Sequence, residues 1–562
     1  MEYKLDNIHK YFQLPISFNK KKMPVPENVV TDLELQGTKD NKSLYNSIFE
    51  CEDIYAKATC DMWREYYTHD KTFLKDTQKL LSNDINYNVE PLHCWNKIKG
   101  EVEFDDKYHF INMRYFKFLN HNSVFLQLLS LYKFASPLIS LVYPIFVLFI
   151  PLIILKYYNK VNVSFDQYYG IMKMFIMNNS VVKLFTEFSL QHWRQSFYLL
   201  FSAFMYVFSI YQNIVSCIHF HANMKHINHY IIELRNYTQK EIELMDEFNE
   251  KCKNLSTYQK FLETMNAHKE VLISNSKLFE MVNSYKWDFH NLSHLGYSLK
   301  MLYMVYYDSS FHDAMMYSFG FNGYIQNMKD IQFNLKQKYI ARASFGKKTK
   351  FDQAYYPHFK TKKHVKNNYS FDKNLIISGP NASGKTTLIK STLFNVLLSQ
   401  QIGCGFFKHG CIKPYKFIHS YLNIPDTSDR DSLFQAEARR CREIIRLLDK
   451  NNKASHFCIF DELYSGTNPY EANASAYAFI KYMTNKNIDF MLTTHFVELC
   501  ESLDEDRNVD NVQMDIQEDN DRIKYLYTLK SGISRYRGGV HVLKDLDYPS
   551  EIIEMTREYL KV

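Results

Sequence analysis

Eight residues constrain this 562-residue chain more than any others: Gly379-Pro380-Asn381-Ala382-Ser383-Gly384-Lys385-Thr386, a complete G-x4-G-K-[ST] sequence. An apolar run from Asn374 to Ser378 precedes it and reads as a buried strand, while the stretch from Thr387 onward reads as a helix. Between strand and helix, a glycine-rich loop turns successive backbone N–H groups onto a phosphate, and the helix N-terminus adds its dipole. Lys385 supplies a point charge to the terminal phosphates, and Thr386 offers a hydroxyl to Mg2+. Such a chain must contain an α/β layer, and an all-β fold is excluded.

Two further strand ends extend the pattern. His456 to Phe460 is an apolar strand that ends in Asp461 and Glu462. In a Walker B arrangement Asp461 would hold Mg2+ and Glu462 would polarise the attacking water. Phe490 to Thr494 is a third apolar strand, ending at His495, where an imidazole can hydrogen-bond the γ-phosphate or the water. The residues themselves therefore point to a Mg2+-dependent ATPase. Lys385, Glu462 and His495 are the catalytic candidates, and Thr386 and Asp461 the metal ligands. Residues Gly379 to Thr387 form the ATP cradle.

The rest of the chain reads differently. Glycine makes up only 16 of 562 residues, seven before position 370 and nine after it, as expected for a helical body joined to a loop-rich domain. Residues 1–30 are polar and proline-containing and read as a poorly ordered leader without a signal sequence. Helical spacing of apolar residues recurs over 31–89 and as long amphipathic stretches over 225–340. Residues 134–155 carry no charge and include Pro137, Pro144 and Pro151; with a weaker apolar run over 197–220, they would suit a membrane hairpin. From Arg342 to Lys366 the sequence is basic, and a solvated surface loop or a phosphate-contacting patch would account for it. Ten scattered cysteines without a C-x-x-C pair indicate a reducing intracellular compartment and no metal beyond Mg2+. The net charge of +7 is compatible with nucleic acid or anionic lipid and demands neither.

Taken together, the motifs resemble the MutS family of DNA mismatch-repair ATPases. The loop GPNASGKT matches the family's GPN-x-x-GK-[ST], and DELYSGTNPYE from Asp461 to Glu471 matches DE-x-x-x-GT-x-x-x-[DE]. Thr494 to Leu499 reads THFVEL, and the tail segments Leu529–Ser534 and Gly539–Val542 also fit the family pattern. The resemblance covers about residues 355–560 and is fainter upstream, at Val30–Leu35 and Met62–Tyr66. It implies a homodimer with composite ATP sites, in which Ser432 of an S-x-F-x-x-E segment (with Phe434 and Glu437) reaches the γ-phosphate across the interface. The adenine contacts stay unassigned.

The expected fold is α + α/β: a helical core and lever over 31–340, with a membrane hairpin at 134–155 and 197–220, then an ABC-type P-loop ATPase domain over 341–562 with a mixed, mostly parallel sheet. Before residue 31 there is no room for a mismatch-reading domain with its Phe-x-Glu wedge, and Phe185–Glu187 and Phe261–Glu263 match that tripeptide by chance. The expected protein is thus a short MutS-like paralogue that clamps double-stranded or branched DNA without reading mismatches. The alternative is a membrane-tethered ATPase acting on a non-mismatch substrate or anchoring DNA, with its ATPase domain on the ATP-containing side. An ABC transporter half is disfavoured by too few spans, and a non-hydrolysing module by Glu462.

Overall fold

This computed structural model describes residues 5–560 apart from 38–42, 51–53, 84–91, 155–163, 179–181, 184–192, 283–292, 363, 423–431, 520–521 and 537–538. The last residue of the first apolar run, Leu155, and the tripeptide Phe185–Glu187 lie outside the described residues, as does Lys363 of the basic stretch. The chain divides into two compact units that do not follow its linear order. One comprises Val89–Ile242 and Lys269–Ala314; the other comprises Lys4–Asn88, Glu243–His268 and Met315–Val562.

The first unit is helical. Its long elements are Ser123–Ile153, Phe165–Asn178, Leu295–Tyr307 and most of Trp193–Cys252, a 60-residue helix whose last turns belong to the other unit. Below Phe220 that helix has a regular buried stripe, Met224, Ile227, Ile231 and Leu234, the spacing of an amphipathic helix against a core.

The second unit is built on a six-stranded sheet with the order Arg522–Ser531, Val509–Asp519, Asn374–Ser378, Ile488–Thr494, His456–Asp461, Phe417–Tyr421. Every pair is parallel except the antiparallel edge pair formed by the last two strands of the chain. Strands buried on both faces read as continuous apolar runs, which is why Asn374–Ser378 and His456–Phe460 lack alternation. The register pairs Thr494 with Ser378 and Asp461 with Thr493, so the carboxyl ends of the three central strands finish level. Strand order reverses at Asn374–Ser378, and the crevice above such a switch point is where α/β sheets bind ligands.

A second, five-stranded sheet includes Ala341–Phe345 and Lys350–Ala354. The first half of the basic stretch expected as a surface loop, up to Ala354, is thus mostly strand, because Ala343, Thr349, Phe351 and Ala354 punctuate its lysines and are buried. Nor are residues 5–30 a loose leader. Ile8, Phe12, Leu14 and Ile16 are buried. Phe12 packs edge-on to Phe261 and Tyr317 at 6.1 and 5.3 Å between ring centroids, and Lys22–Pro24 pairs with Tyr66–Thr68. Polar composition hid four apolar anchors.

Candidate nucleotide site

Gly384 is where the phosphate loop becomes helix Lys385–Ile402. It adopts φ +92°, a left-handed conformation that glycine tolerates and other residues resist. The helix behind it is buried from Leu388 through Ile402 apart from Lys390, so the loop stands on a rigid base. Lys385 is itself buried and donates from Nζ to the carbonyls of Gly379 and Pro380, at 2.9 and 3.1 Å. Burial pulls its pKa below the ordinary lysine value, an effect that the Glu462 and Asp461 carboxylates partly offset. The Ser383 hydroxyl is buried without a hydrogen-bond partner, an unsatisfied group inside a loop shaped for an anion.

Across the strand ends, Thr386 Oγ1 donates to Asp461 Oδ2 at 2.8 Å, and Thr493 donates to the other carboxylate oxygen. The predicted metal pair is therefore already in contact. Glu462 follows in a left-handed backbone conformation at φ +51° and meets His495 Nε2 at 2.9 Å. Burial raises the Glu462 pKa, but the His495 hydrogen bond and charge, with Lys385, outweigh it and leave the carboxyl below its usual range.

Helix Leu433–Lys450 holds the loop after Glu462. Ser432 is its N-cap in a capping box with Gln435, and the buried Glu437 accepts from Ser465 N, Ser465 Oγ and Gly466 N at 3.0, 2.9 and 3.1 Å. Phe434 packs against Tyr464. The tail motif is tied back as well, since Ser534 N donates to Ser378 Oγ at 2.8 Å.

Two cavities flank the loop. One of 660 Å³ opens beside Gly379, Pro380 and Asn381 and is bounded by Tyr470 and His495. The other, 370 Å³, lies past Gly384 and Thr387 and is walled by Tyr356, Phe359, His364 and Tyr527. His364 stacks on Tyr355 at 4.1 Å, and its Nε2 is buried without a partner. Sequence reasoning missed this aromatic wall because its residues are scattered over 170 positions and fit no motif. Of the predicted residues, Lys385, Thr386, Asp461, Glu462 and His495 converge at the strand ends, Asn381, Ala382 and Thr387 lie exposed on the loop and the first helical turn, and Ser432 caps its own helix.

A glycine-rich loop at a switch point, a lysine beneath it, and acidic and imidazole groups on the adjoining strand ends define the class: an α/β domain with a phosphate-loop sequence at the switch point of its sheet. Residues 375–562 match the family model of MutS domain V, about a third of the chain. The curated relatives are each named DNA mismatch repair protein MutS. That of Persephonella marina is 31% identical over 201 residues, 35% of this chain and 23% of the relative. The Listeria monocytogenes protein is 28% identical over 205 residues, again 23% of its length, and the Geobacillus protein 27% over 190 residues, 21% of its length. The match thus spans under a quarter of each relative.

Proposed function

We propose that this chain is a MutS-type, Mg2+-dependent ATPase that works as a DNA-associated dimeric clamp. The observation that carries it is the interlocked set Lys385, Thr386–Asp461 and Glu462–His495 on three level strand ends. The residues fit the ligands. Ser383 Oγ lacks a partner that a phosphate oxygen would provide, and the two oxygens of Asp461 with Thr386 Oγ1 form a hard-oxygen set of the kind Mg2+ takes. Bound ATP with Mg2+ would supply the phosphoryl group and neutralise its developing charge. Lys385 then exchanges carbonyl partners for phosphate, Glu462 orients a water, and His495 holds Glu462 in place and ionised. The aromatic cavity of 370 Å³ is of a size and chemistry for the base, with His364 Nε2 as its unpartnered polar group. Ser432 is the group that would reach a second copy's nucleotide.

The similarity is to under a quarter of each relative, so it supports a MutS-type ATP cycle and DNA association and says nothing of mismatch reading. Contacts with DNA phosphates would be salt-sensitive. A membrane-tethered version of the same ATPase, acting on a non-mismatch substrate or anchoring DNA, is the second reading, favoured by two helices with bare apolar flanks.

Lys385→Ala should abolish nucleotide binding, and Glu462→Ala should retain bound ATP while slowing turnover about 10²–10⁴-fold. Unchanged turnover in both variants refutes the site. Duplex, mismatched and branched DNAs that all fail to bind at low salt, with and without ATP, refute the DNA association.

A further inference from the structure

Helices Ser123–Ile153 and Trp193–Cys252 run antiparallel over part of their length, and both change character at one level. Phe134 packs edge-on to Phe220 at 5.2 Å between centroids. On the protein side of that pair Leu126, Ser130, Met224 and Ile227 are buried. Beyond it most of the described side chains are exposed: Leu138 and Leu141 are 66% and 56% exposed, Phe201 and Phe204 53% and 61%. In the apolar windows within Ser123–Tyr143 and Phe197–Cys252, among the described residues, only 17% and 6% is buried, whereas a soluble core helix would be mostly buried.

The polar groups on this stretch are arranged by direction. Asn213 donates to Ser140 Oγ, Tyr206 reaches the Ser140 and Leu141 carbonyls, and the Cys217 thiol meets the Phe134 carbonyl, all in the seam between the two helices. Leu199, Tyr206, Asn213 and Phe220 recur every seven residues along that seam, leaving a broad apolar outer face on which Ser209 and Gln212 are uncharged exceptions. Small polar hydrogen bonds inside and hydrocarbon outside is the arrangement of helices that pack in lipid. At 1.5 Å per residue, residues 131–153 and 197–218 rise about 33–35 Å, against a hydrocarbon core of about 30 Å. The three prolines lie within the continuous helix that ends at Ile153.

Charge identifies the surface that receives this element. Residues 107–133 and 216–232 contain no acidic residue, while Arg114, Lys117, Lys133 and Lys225 lie within them. Arg114 and Lys117 alternate with Met113, Tyr115, Phe116 and Phe118, whose side chains are exposed, Tyr115 at 87%. His109 of the same segment stands beside Phe220, at the level where the helices become bare. Aromatic rings with cations at one end of an apolar hairpin make a headgroup-level belt. We infer that the two helices insert as a hairpin into an anionic phospholipid bilayer, with the 113–118 belt at the headgroups and the Phe134–Phe220 pair marking the entry level. This deepens the membrane-tethered reading and is independent of nucleotide chemistry.

The test uses full-length protein purified in detergent and returned to phosphatidylcholine vesicles with or without phosphatidylglycerol. The expected result is co-flotation that survives high salt and alkaline carbonate, and loss of co-flotation for Leu138→Arg/Phe204→Arg, which keeps the wild-type circular dichroism in detergent. Arg114→Glu/Lys117→Glu, with the hairpin intact, should still insert but lose the preference for phosphatidylglycerol. Protein that stays monomeric or dimeric in buffer without detergent overturns the proposal, as does release by carbonate or flotation of the arginine variant at the wild-type level. Because flotation is read without nucleotide, a failed ATPase assay leaves this result untouched, and the converse holds.

Discussion

At the scale of single residues, Asp461 is occupied on both oxygens by threonine hydroxyls, one from the phosphate-loop helix and one from the neighbouring strand. That linkage follows from motif spacing, and the spacing was readable because strand ends in a parallel sheet bring fixed sequence positions together. Asp330 is the opposite case, since nothing in its sequence surroundings marks it. It lies on helix Ser309–Lys336, accepts from Glu50 N at 3.1 Å and from Gln326, and has Glu50 and Lys360 as charged neighbours. Burial, the largest effect, raises its pKa from 3.8 to about 6. A carboxyl whose folded pKa is raised binds protons more tightly in the folded state, so stability falls as pH rises from about 4 to about 6 and then levels. Asp330→Asn should remove that loss: on the order of 2–3 kcal/mol more stable than wild type at pH 7 and nearly equal at pH 4. Denaturant unfolding at the two pH values measures it, and a variant no more stable at pH 7 would show that the folded state does not strain this carboxyl.

Among the elements, helix Leu433–Lys450 acts on the site through the loop after Glu462 rather than through the phosphate loop. Its Glu437 takes three hydrogen bonds from Ser465 and Gly466, three and four residues past Glu462. The S-x-F-x-x-E spacing was legible, whereas its use within the subunit was not, because sequence cannot say which backbone a buried carboxylate will face. Gly466 is required by proximity. A Cβ added there would sit 2.7 Å from both Leu433 Cγ and the Phe434 backbone nitrogen, and the backbone atom cannot swing aside. Gly466→Ala should therefore cost about 1–3 kcal/mol of stability. It should also lower turnover more than nucleotide affinity, since the displaced loop carries Glu462 and not Lys385. Equal losses in kcat and affinity would mean that the helix supports the whole site.

On the scale of the whole molecule, the long helices and the parallel sheet were readable from periodicity, but the division into units was not. One unit gathers three separated segments, including residues near the start of the chain that look like a leader, and only contacts distant in sequence define such a body. The phosphate loop lies in that composite unit, and the bare hairpin lies in the other. If each unit takes the ligand proposed for it, binding stabilises only the body that holds that ligand. A ligand at a hundredfold excess over its dissociation constant contributes about 2.7 kcal/mol to the state that binds it. In calorimetry of the full chain in detergent, ATP with Mg2+ should raise one unfolding transition by several degrees and leave the other in place. Lys385→Ala should remove the nucleotide-dependent shift. Should both transitions rise together with nucleotide, the two units would unfold as one cooperative body, and the helix Trp193–Cys252, continuous from one into the other, would be the element that couples them.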